Sequence, residues 1–255
     1  MKNYHTHTTR CKHAEGTMEE YIEAAIEMGY TTLGFSDHTP WPSEGRWRMD
    51  ASEIEDYCNE VNRMKEKYKD KIDIKLGLEA EYVPELMDWL KNLIKKHNIE
   101  YLIFGNHWVK KGQYEVFYSS MKGSKESLNT YCESAIEGLK TGLYSYFAHP
   151  DWFMTTNYWW TDQCEEISRK ICMYCKEHDI PLEYNLAGMR GFYEYPHPKF
   201  WQIAKQCGCK AIIGVDAHSP RHILNDLELE VARENLKELG IEIVDEIDTS
   251  LLKNI

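Results

Sequence analysis

The sequence has no long apolar run and no stripe rich in lysine or arginine. Its hydrophobic stretches are too short for a membrane-spanning helix, and its first residues lack the basic-then-apolar order of a signal peptide. The formal net charge is −12, whereas a nucleic-acid-binding surface needs cations to neutralise phosphates. We therefore expect a soluble cytoplasmic protein with a small-molecule partner, bound neither to a membrane nor to nucleic acid. The sequence does not indicate an oligomeric state.

The eight cysteines form no disulfide or zinc-ribbon framework. They are scattered, and without a secretory signal such residues are typically reduced thiols. Cys172 and Cys175 form a CxxC pair inside a helical pattern, with no second pair at zinc-ribbon spacing, so we interpret them as core residues. Cys11 lies between His7 and His13 and can line a site there without being a ligand.

A Gly-rich phosphate loop is also missing after the first predicted strand, which argues against an open doubly wound sheet. What the chain does contain is seven strand-then-helix units without a linker between them. The predicted strands cover 2–9, 31–36, 72–78, 101–105, 144–148, 181–185 and 210–215. We predict one α/β domain over residues 1–255, a parallel (β/α)7 TIM-like barrel. Functional side chains of such a barrel gather at the C-terminal ends of its strands.

Helix signals fall between these strands. Thr17 and Glu20 form a capping-box pattern that opens a helix ending before Gly29. Ser52 is expected to cap a second helix that runs to about residue 68. Further helices are predicted at 84–96, 125–140, 162–177, 198–207 and 223–239. Residues 39–50 and 112–123 are predicted to be long loops, and the first could cover a pocket.

Metal-ligating side chains follow the predicted strands. His5 and His7 leave one face of the first strand, because residues two apart in a strand point the same way. Seven of the eleven histidines lie at or just after strand ends, where one aspartate and one glutamate join them. A lone histidine there is more often structural, but seven on one rim are poorly explained by chance. The nine candidate ligands are His5, His7, His13, His38, Glu79, His107, His149, Asp216 and His218.

Nine donors exceed the three or four that one zinc ion takes, so they suit a cluster of two or three ions. A set dominated by imidazole and free of cysteine is compatible with Zn, Mn or Fe. Glu79 can bridge two ions through its two oxygens. Three dications, less Glu79, Asp216 and one hydroxide, leave a charge of about +3, which suits a phosphate dianion.

Together these motifs resemble the PHP (polymerase and histidinol phosphatase) superfamily over nearly the whole chain. The matching segments are 5–7 with His13, 36–38, 77–79, 106–107, 149–150 and 216–218. Residues 77–82, 183–185, 188–190 and 216–220 are most similar to stand-alone histidinol-phosphate phosphatases. Leu186 and Asn106 depart from the pattern at positions that affect substrate contacts more than metal binding.

The resemblance implies a distorted (β/α)7 barrel with a trinuclear centre at the C-terminal ends of its strands. It implies one ion held by His5, His7, Glu79 and Asp216. A second ion would be held by Glu79, His107 and His149, and a third by His13, His38 and His218. It also implies that Arg190 binds the substrate phosphate, and that the reaction is hydrolysis of L-histidinol phosphate in histidine biosynthesis.

In the mechanism that we infer, a hydroxide bridging two ions attacks phosphorus in line with the ester oxygen. Arg190 could add a bidentate contact that a lysine could not reproduce. Asp37 and Glu81 lie beside ligands, and each either protonates the leaving group or orients a neighbouring imidazole. The sequence leaves that choice open.

The alcohol half of such a substrate carries an ammonium and an imidazole, which acidic and aromatic side chains can receive. The candidates are Glu183, Asp151, Trp41, Trp108, Trp152 and Tyr158.

Three other functions fit parts of the same pattern. A phosphoesterase of this family could act on another small phosphate ester or a nucleotide instead. A non-catalytic metal-binding protein would not need Arg190 or aromatic lids. A metal-dependent amidohydrolase would need a lysine at a strand end, and none is found at a ligand position.

Overall fold

The computed structural model describes residues 1–43, 45–111, 114–120, 124–156 and 159–255. Eight strands form one sheet in the order β1-β2-β3-β4-β7-β8-β9-β10, while β5 and β6 form a separate antiparallel hairpin. The strands are β1 (Lys2–Asn3), β2 (Thr32–Phe35), β3 (Asp73–Ala80), β4 (Tyr101–Phe104), β5 (Trp108–Lys111), β6 (Tyr114–Phe117), β7 (Tyr146–Phe147), β8 (Leu182–Asn185), β9 (Lys210–Gly214) and β10 (Glu242–Ile243).

The seam between β1 and β9 closes the sheet into a barrel. All paired neighbours in the eight-stranded sheet are parallel. Beyond the two strands, Thr6 pairs in parallel with Ala217, and the His7 N–H donates to the Ala217 carbonyl at 2.9 Å. At the opposite end of the seam, β10 lies beside the start of β9. The predicted parallel TIM-like barrel is therefore confirmed, and the short strand β10 adds an eighth strand at an irregular seam.

Large side chains fill the lower half of the barrel interior, where Tyr4, Tyr101, Ile103, Tyr146, Ala148 and Ile212 pack together. The Tyr101 hydroxyl donates to the Tyr4 carbonyl at 2.7 Å. A Cβ atom at Gly34 or Gly77 would overlap the Tyr101 ring, so both positions need glycine. Because Tyr101 begins β4, this plug leaves only the C-terminal end of the barrel open for a site.

Helices connect the strands in the expected alternation. They are α1 (Met18–Glu27), α2 (Ile54–Tyr68), α3 (Met87–His97), α4 (Lys125–Leu139), α5 (Asp162–Glu177), α6 (Leu186–Arg190), α7 (Pro198–Cys207), α8 (Pro220–Ile223) and α9 (Asp226–Leu239). In the part of the chain that is described, none is long and apolar enough to cross a bilayer.

The predicted helix starts have mixed outcomes. The capping box of Thr17 and Glu20 is confirmed in both of its hydrogen bonds. The predicted cap at Ser52 is wrong, because Glu53 is the N-cap of α2 and makes no side-chain capping bond. Its carboxylate instead accepts the Asp50 N–H at 2.7 Å, which inserts a turn before the helix.

Other elements differ from the prediction in ways that local hydrogen bonds explain. The hairpin β5–β6 overlaps the predicted loop 112–123, of which 112–113 and 121–123 lie outside the described residues. The loop expected to carry Arg190 contains α6, because the Asn185 side chain caps it by accepting the Gly188 N–H at 2.9 Å. The helix predicted at 223–239 is split into α8 and α9, and Asn225 caps the second.

Candidate metal centre

The nine predicted ligands converge at the open end of the barrel. Eight of them line a cavity of about 600 Å³, and His5 lies fully buried beneath it. The backbone of two of them, His149 and Asp216, has positive φ values of 73° and 49°. Such conformations are costly for residues other than glycine and are concentrated at functional sites.

The first group of donors has the dimensions of a tetrahedral site. His5 Nε2 lies 3.1 Å from His7 Nε2, 3.4 Å from Glu79 Oε2 and 3.5 Å from Asp216 Oδ1. His7 Nε2 lies 3.4 Å from Glu79 Oε2 and 3.3 Å from Asp216 Oδ1. Zinc bonds of about 2.0–2.2 Å in a tetrahedron put ligand atoms roughly 3.3–3.6 Å apart. These four atoms therefore fit one metal ion between them.

The other oxygen of Glu79 belongs to a second group. Oε1 of Glu79 lies 3.2 Å from His107 Nε2 and 2.9 Å from His149 Nε2, and these two nitrogens are 3.2 Å apart. One carboxylate thus faces two donor groups, one with each oxygen. This is the geometry of a bridging ligand.

The third predicted set is only partly brought together. His13 Nε2 and His218 Nε2 are 2.9 Å apart. His38 stacks on His13 with ring centroids 5.8 Å apart, but its Nδ1 lies 3.0 Å from Glu79 Oε2. Donor atoms of His38, His7 and His218 also lie within 4.8 Å of one another. His38 therefore lies between the first and third groups.

Hydrogen bonds at the far side of four rings decide which nitrogen can bind metal. Nδ1 of His5 faces Glu183 Oε1 at 2.7 Å, and Nδ1 of His107 faces Glu81 Oε1 at 3.0 Å. Nδ1 of His13 faces the Cys11 carbonyl at 2.6 Å, and Nδ1 of His218 faces the Asp216 carbonyl at 3.2 Å. Because these oxygens only accept, each Nδ1 carries a proton, and Nε2 is the nitrogen that faces the centre and can offer its lone pair once the ring is neutral.

Buried oxygens without hydrogen-bond donors fit the same interpretation. Both carboxylate oxygens of Glu79 and Oδ1 of Asp216 have no hydrogen-bond partner in the described structure. Burial raises the pKa of Glu79, but the charges of His107, His38 and His5 outweigh it and hold that pKa well below its usual range. Leaving such anionic oxygens unsatisfied is costly, and divalent cations would satisfy them.

Two rings of the third group are neutral at pH 7. Burial lowers the pKa of His13 to about 4, assisted by the nearby charge of His38. Burial and the charge of His7 also hold the pKa of His218 well below its usual value. A neutral imidazole is the form that binds a metal ion.

The residues predicted as acids support ligands in this structure. Glu81 accepts from His107 Nδ1 with one oxygen and from Trp41 Nε1, at 2.8 Å, with the other. Asp37 is buried, accepts the Thr8 N–H at 3.0 Å and lies 3.6 Å from His7 Nδ1. Both positions favour orientation of an imidazole. The alternative role as proton donor stays a prediction.

Arg190 does not line the cavity in this structure. Its Nη1 bonds Glu228 Oε2 at 2.5 Å, and its Nη2 donates to the Val215 carbonyl at 2.8 Å. The guanidinium therefore fixes the chain just before Asp216. Its contact with the substrate phosphate stays a prediction.

Only some of the residues predicted to receive the alcohol half of the substrate line the cavity. Trp108 and Trp152 line the cavity, whereas Trp41 is buried behind Glu81 and Tyr158 lies outside the described residues. Asp151 is buried and accepts the His197 N–H at 2.6 Å. Glu183 has no exposed surface and is held between His5 and Asn185, so it cannot reach a substrate.

Several supporting residues were not predicted. His222 Nδ1 accepts the His218 N–H at 3.1 Å, a contact that the four-residue spacing after a predicted ligand could have indicated. A Cβ atom at Gly105 would overlap the Glu79 carboxylate and the His107 ring, and one at Gly214 would overlap Glu183. These two glycines at strand ends make room for the site, and only their position hinted at it.

A cover over the cavity combines two segments. Residues 43 and 45–48 of the loop after β2 line the cavity together with the hairpin residues Glu115 and Phe117. Arg48 makes two bonds to the Glu115 carboxylate, at 2.9 and 2.8 Å, and Ser43 Oγ donates to the same group at 2.7 Å. We call the loop residues 43 and 45–48 the lid loop.

Comparisons with known proteins agree with this architecture. A model of the PHP domain family matches residues 3–187. A probable histidinol-phosphatase of Deinococcus radiodurans is 25% identical over 235 residues, covering 86% of each chain. One of Schizosaccharomyces pombe is 34% identical over 116 residues, covering 41% of this chain and 38% of the relative. A histidinol phosphate phosphatase from Lactococcus lactis, solved with zinc, L-histidinol and phosphate, has a TM-score of 0.77 at 21% identity. It covers 97% of this chain and 98% of its own.

Proposed function

The chain belongs to the PHP domain family, and from this premise we propose that it is a metal-dependent phosphomonoesterase that hydrolyses L-histidinol phosphate to L-histidinol and phosphate. One relative that matches over most of its length and two that match over about a third of theirs are named histidinol-phosphatase or probable histidinol-phosphatase, which supports this substrate. The reaction belongs to histidine biosynthesis. The substrate is a small phosphate ester.

The observation that carries the proposal is the Glu79 carboxylate, which faces two separate groups of imidazole nitrogens. In the proposed centre, His5, His7, Glu79 and Asp216 hold one ion, and Glu79, His107 and His149 hold a second. His13, His38 and His218 hold a third. The donor distances support the first two sets and the His13–His218 pair of the third, and the four Nδ1 hydrogen bonds orient rings in all three. The donor chemistry suits Zn, Mn or Fe.

Divalent ions bound here would supply Lewis acidity, a lowered pKa for water and charge neutralisation at the phosphoryl oxygens. The chain's own residues set the geometry. Glu183, Glu81 and Asp37 lie against the outer nitrogens of His5, His107 and His7, and so fix the rings. Trp108, Trp152 and Phe117 give the cavity an aromatic wall that suits a flat imidazole group.

The test is phosphate release from L-histidinol phosphate by protein whose metal content is measured on the same sample. We expect rapid release at two to three metal ions per chain, and loss of activity in His7→Ala and Asp216→Ala. p-Nitrophenyl phosphate and a mononucleotide serve as comparison substrates. Full metal loading with faster turnover of a comparison substrate would reject the histidinol assignment.

A further inference from the structure

The cavity that contains the predicted ligands is also lined by two arginines, Arg46 and Arg48, both on the lid loop. The Arg48 side chain is already hydrogen-bonded to other residues of the protein. Its guanidinium makes two bonds to Glu115 and two more to the carbonyl and hydroxyl of Ser43, at 2.9 Å each. A guanidinium with this many contacts is not available to a ligand without losing them.

Arg46 differs from Arg48 in its contacts. It is exposed, and within the described ranges it makes no hydrogen bond or ion pair with the protein. Three other cations near the rim are paired. Arg10 bonds Asp56 and Glu60 at 2.7 Å, Lys12 bonds Asp50 at 3.0 Å, and Arg190 bonds Glu228. Of the two arginines that line this cavity in the described structure, Arg46 is therefore the one without a hydrogen bond or ion pair to the protein.

The loop around Arg46 is anchored on both sides. The Trp47 ring meets the His13 ring edge to face, with centroids 5.3 Å apart and an interplanar angle of 88°. Arg48 is clamped to Glu115, and Lys12 Nζ lies 3.4 Å from the Gly45 carbonyl. A Cβ atom at Gly45 would overlap the Arg48 guanidinium, so the backbone at Gly45 lies directly against the Arg48 side chain. These contacts hold Arg46 at the mouth while its side chain stays free.

We propose that Arg46 is a phosphate-binding residue, which contacts the substrate's phosphoryl oxygens from the lid loop while the metal centre holds them from below. The Arg48–Glu115 pair is the positioning pair that presents it. The inference rests on the proposed phosphomonoesterase function and adds to it the residue that selects a phosphate group.

Physical chemistry favours Arg46 over Arg190 for this contact. A phosphate dianion on the metal centre keeps oxygens directed away from it, and a guanidinium can bond two of them in parallel. Among the described residues, Arg46 has no hydrogen bond or ion pair to give up when it binds. Arg190 does not line the cavity and already bonds Glu228 and the Val215 carbonyl.

The first experiment is calorimetric titration of inorganic phosphate into metal-loaded protein. Wild type, Arg46→Gln, Arg46→Lys and Arg63→Gln are compared at equal measured metal content. Arg63 is the matched control, because it is a 68% exposed arginine on α2 that does not line the cavity. We expect Arg46→Gln to weaken the phosphate Kd roughly tenfold or more. Arg46→Lys should keep part of the affinity, and Arg63→Gln should match wild type.

The second experiment uses turnover and separates the two proposals. In Arg46→Gln, KM for p-nitrophenyl phosphate should rise with the phosphate Kd at unchanged metal content. If wild type cleaves p-nitrophenyl phosphate but not L-histidinol phosphate, the substrate assignment fails while the titration still decides the role of Arg46. A phosphate Kd within twofold of wild type in Arg46→Gln would overturn the inference, as would a metal-loaded wild type that binds no phosphate.

The positioning pair is tested by Glu115→Gln. This variant should weaken phosphate binding less than Arg46→Gln does. The double variant should be no weaker than Arg46→Gln alone, because both changes act through one contact. Full additivity of the two effects would reject the positioning role.

Discussion

The metal centre and the lid loop bound the same cavity but are held in different ways. His5, His7 and Glu79 at the base of the centre are at most 1% exposed, and each packs against other ligands or their supports. On the lid loop, Trp47 is 52% exposed and Arg46 is exposed as well. The centre is fixed by many overlapping contacts, whereas the loop depends on the Glu115 clamp and a few others.

This difference shows where rigidity is needed. Ligands must be held within a fraction of an ångström, which their burial and outer hydrogen bonds provide. A loop that admits substrate needs fewer contacts, because it must let the ester in and the products out.

The largest effect is expected from Glu79→Gln. The amide removes the anion that faces both donor groups, so at least one metal ion per chain should be lost. The activity should fall by roughly a thousandfold or more. Metal content by mass spectrometry and kcat/KM on the same sample check this. Glu55→Gln, an exposed change on α2, is the control. Retention of all metal with activity within tenfold of wild type would contradict a bridging role.

Gly214→Ala should weaken the base of the centre without touching a ligand. Its methyl group would overlap the buried Glu183 carboxylate, and we expect the free energy of unfolding to fall by about 1–3 kcal/mol. Metal affinity should fall with it, because Glu183 holds His5. Urea denaturation and metal titration measure the two effects.

The comparison variant for that change is Gly29→Ala. Gly29 has a φ of 74° and open space around its Cβ direction, so alanine there costs only backbone strain, about 1–2 kcal/mol. Its metal affinity should stay at the wild-type value. Equal metal affinity in Gly214→Ala and Gly29→Ala would show that Glu183 does not support the centre.

The metal centre could be predicted from the sequence because the barrel strands alternate regularly with helices, so the positions of the strand ends can be inferred. Each strand has period two and each C-terminal end faces one rim, so His7, Glu79 and His107 could be placed together without coordinates. The same reasoning could not find Glu183 as the support of His5. Glu183 lies inside the barrel, 178 residues after His5 in the sequence, and nothing local distinguishes it from a substrate-binding carboxylate.

The lid loop lay beyond such reasoning for a related reason. Arg48 and Glu115 are 67 residues apart on two irregular segments, and no periodicity relates them. The hairpin β5–β6 pairs only with itself, so the alternation that marks the barrel strands did not indicate it. For Arg190 the motif predicted a phosphate contact, but the partner Glu228 on α9 could be identified only from the folded chain.

Glu81→Gln should produce an intermediate effect confined to the second donor group. The carboxylate fixes His107 through Nδ1, and loss of such an outer partner typically lowers metal affinity about 10- to 100-fold. Metal titration monitored by bound ions per chain should show one ion weakened and the others unchanged. Uniform weakening of all ions would mean that the change had disturbed the fold around Trp41 instead.

Glu115→Gln should have the smallest effect on stability, and it tests the lid loop and not the metal centre. The pair with Arg48 is largely buried, but the amide keeps one oxygen acceptor for the guanidinium, and we expect the free energy of unfolding to fall by about 1 kcal/mol. Metal affinity should not change, since Glu115 contacts no ligand of the centre. Hydrogen exchange at residues 45–48 should nevertheless accelerate, because the clamp is what ties this loop to the hairpin. If exchange in the loop stayed as slow as in wild type, Trp47 on His13 and the other contacts would suffice to hold it. The centre and its cover would then be equally rigid.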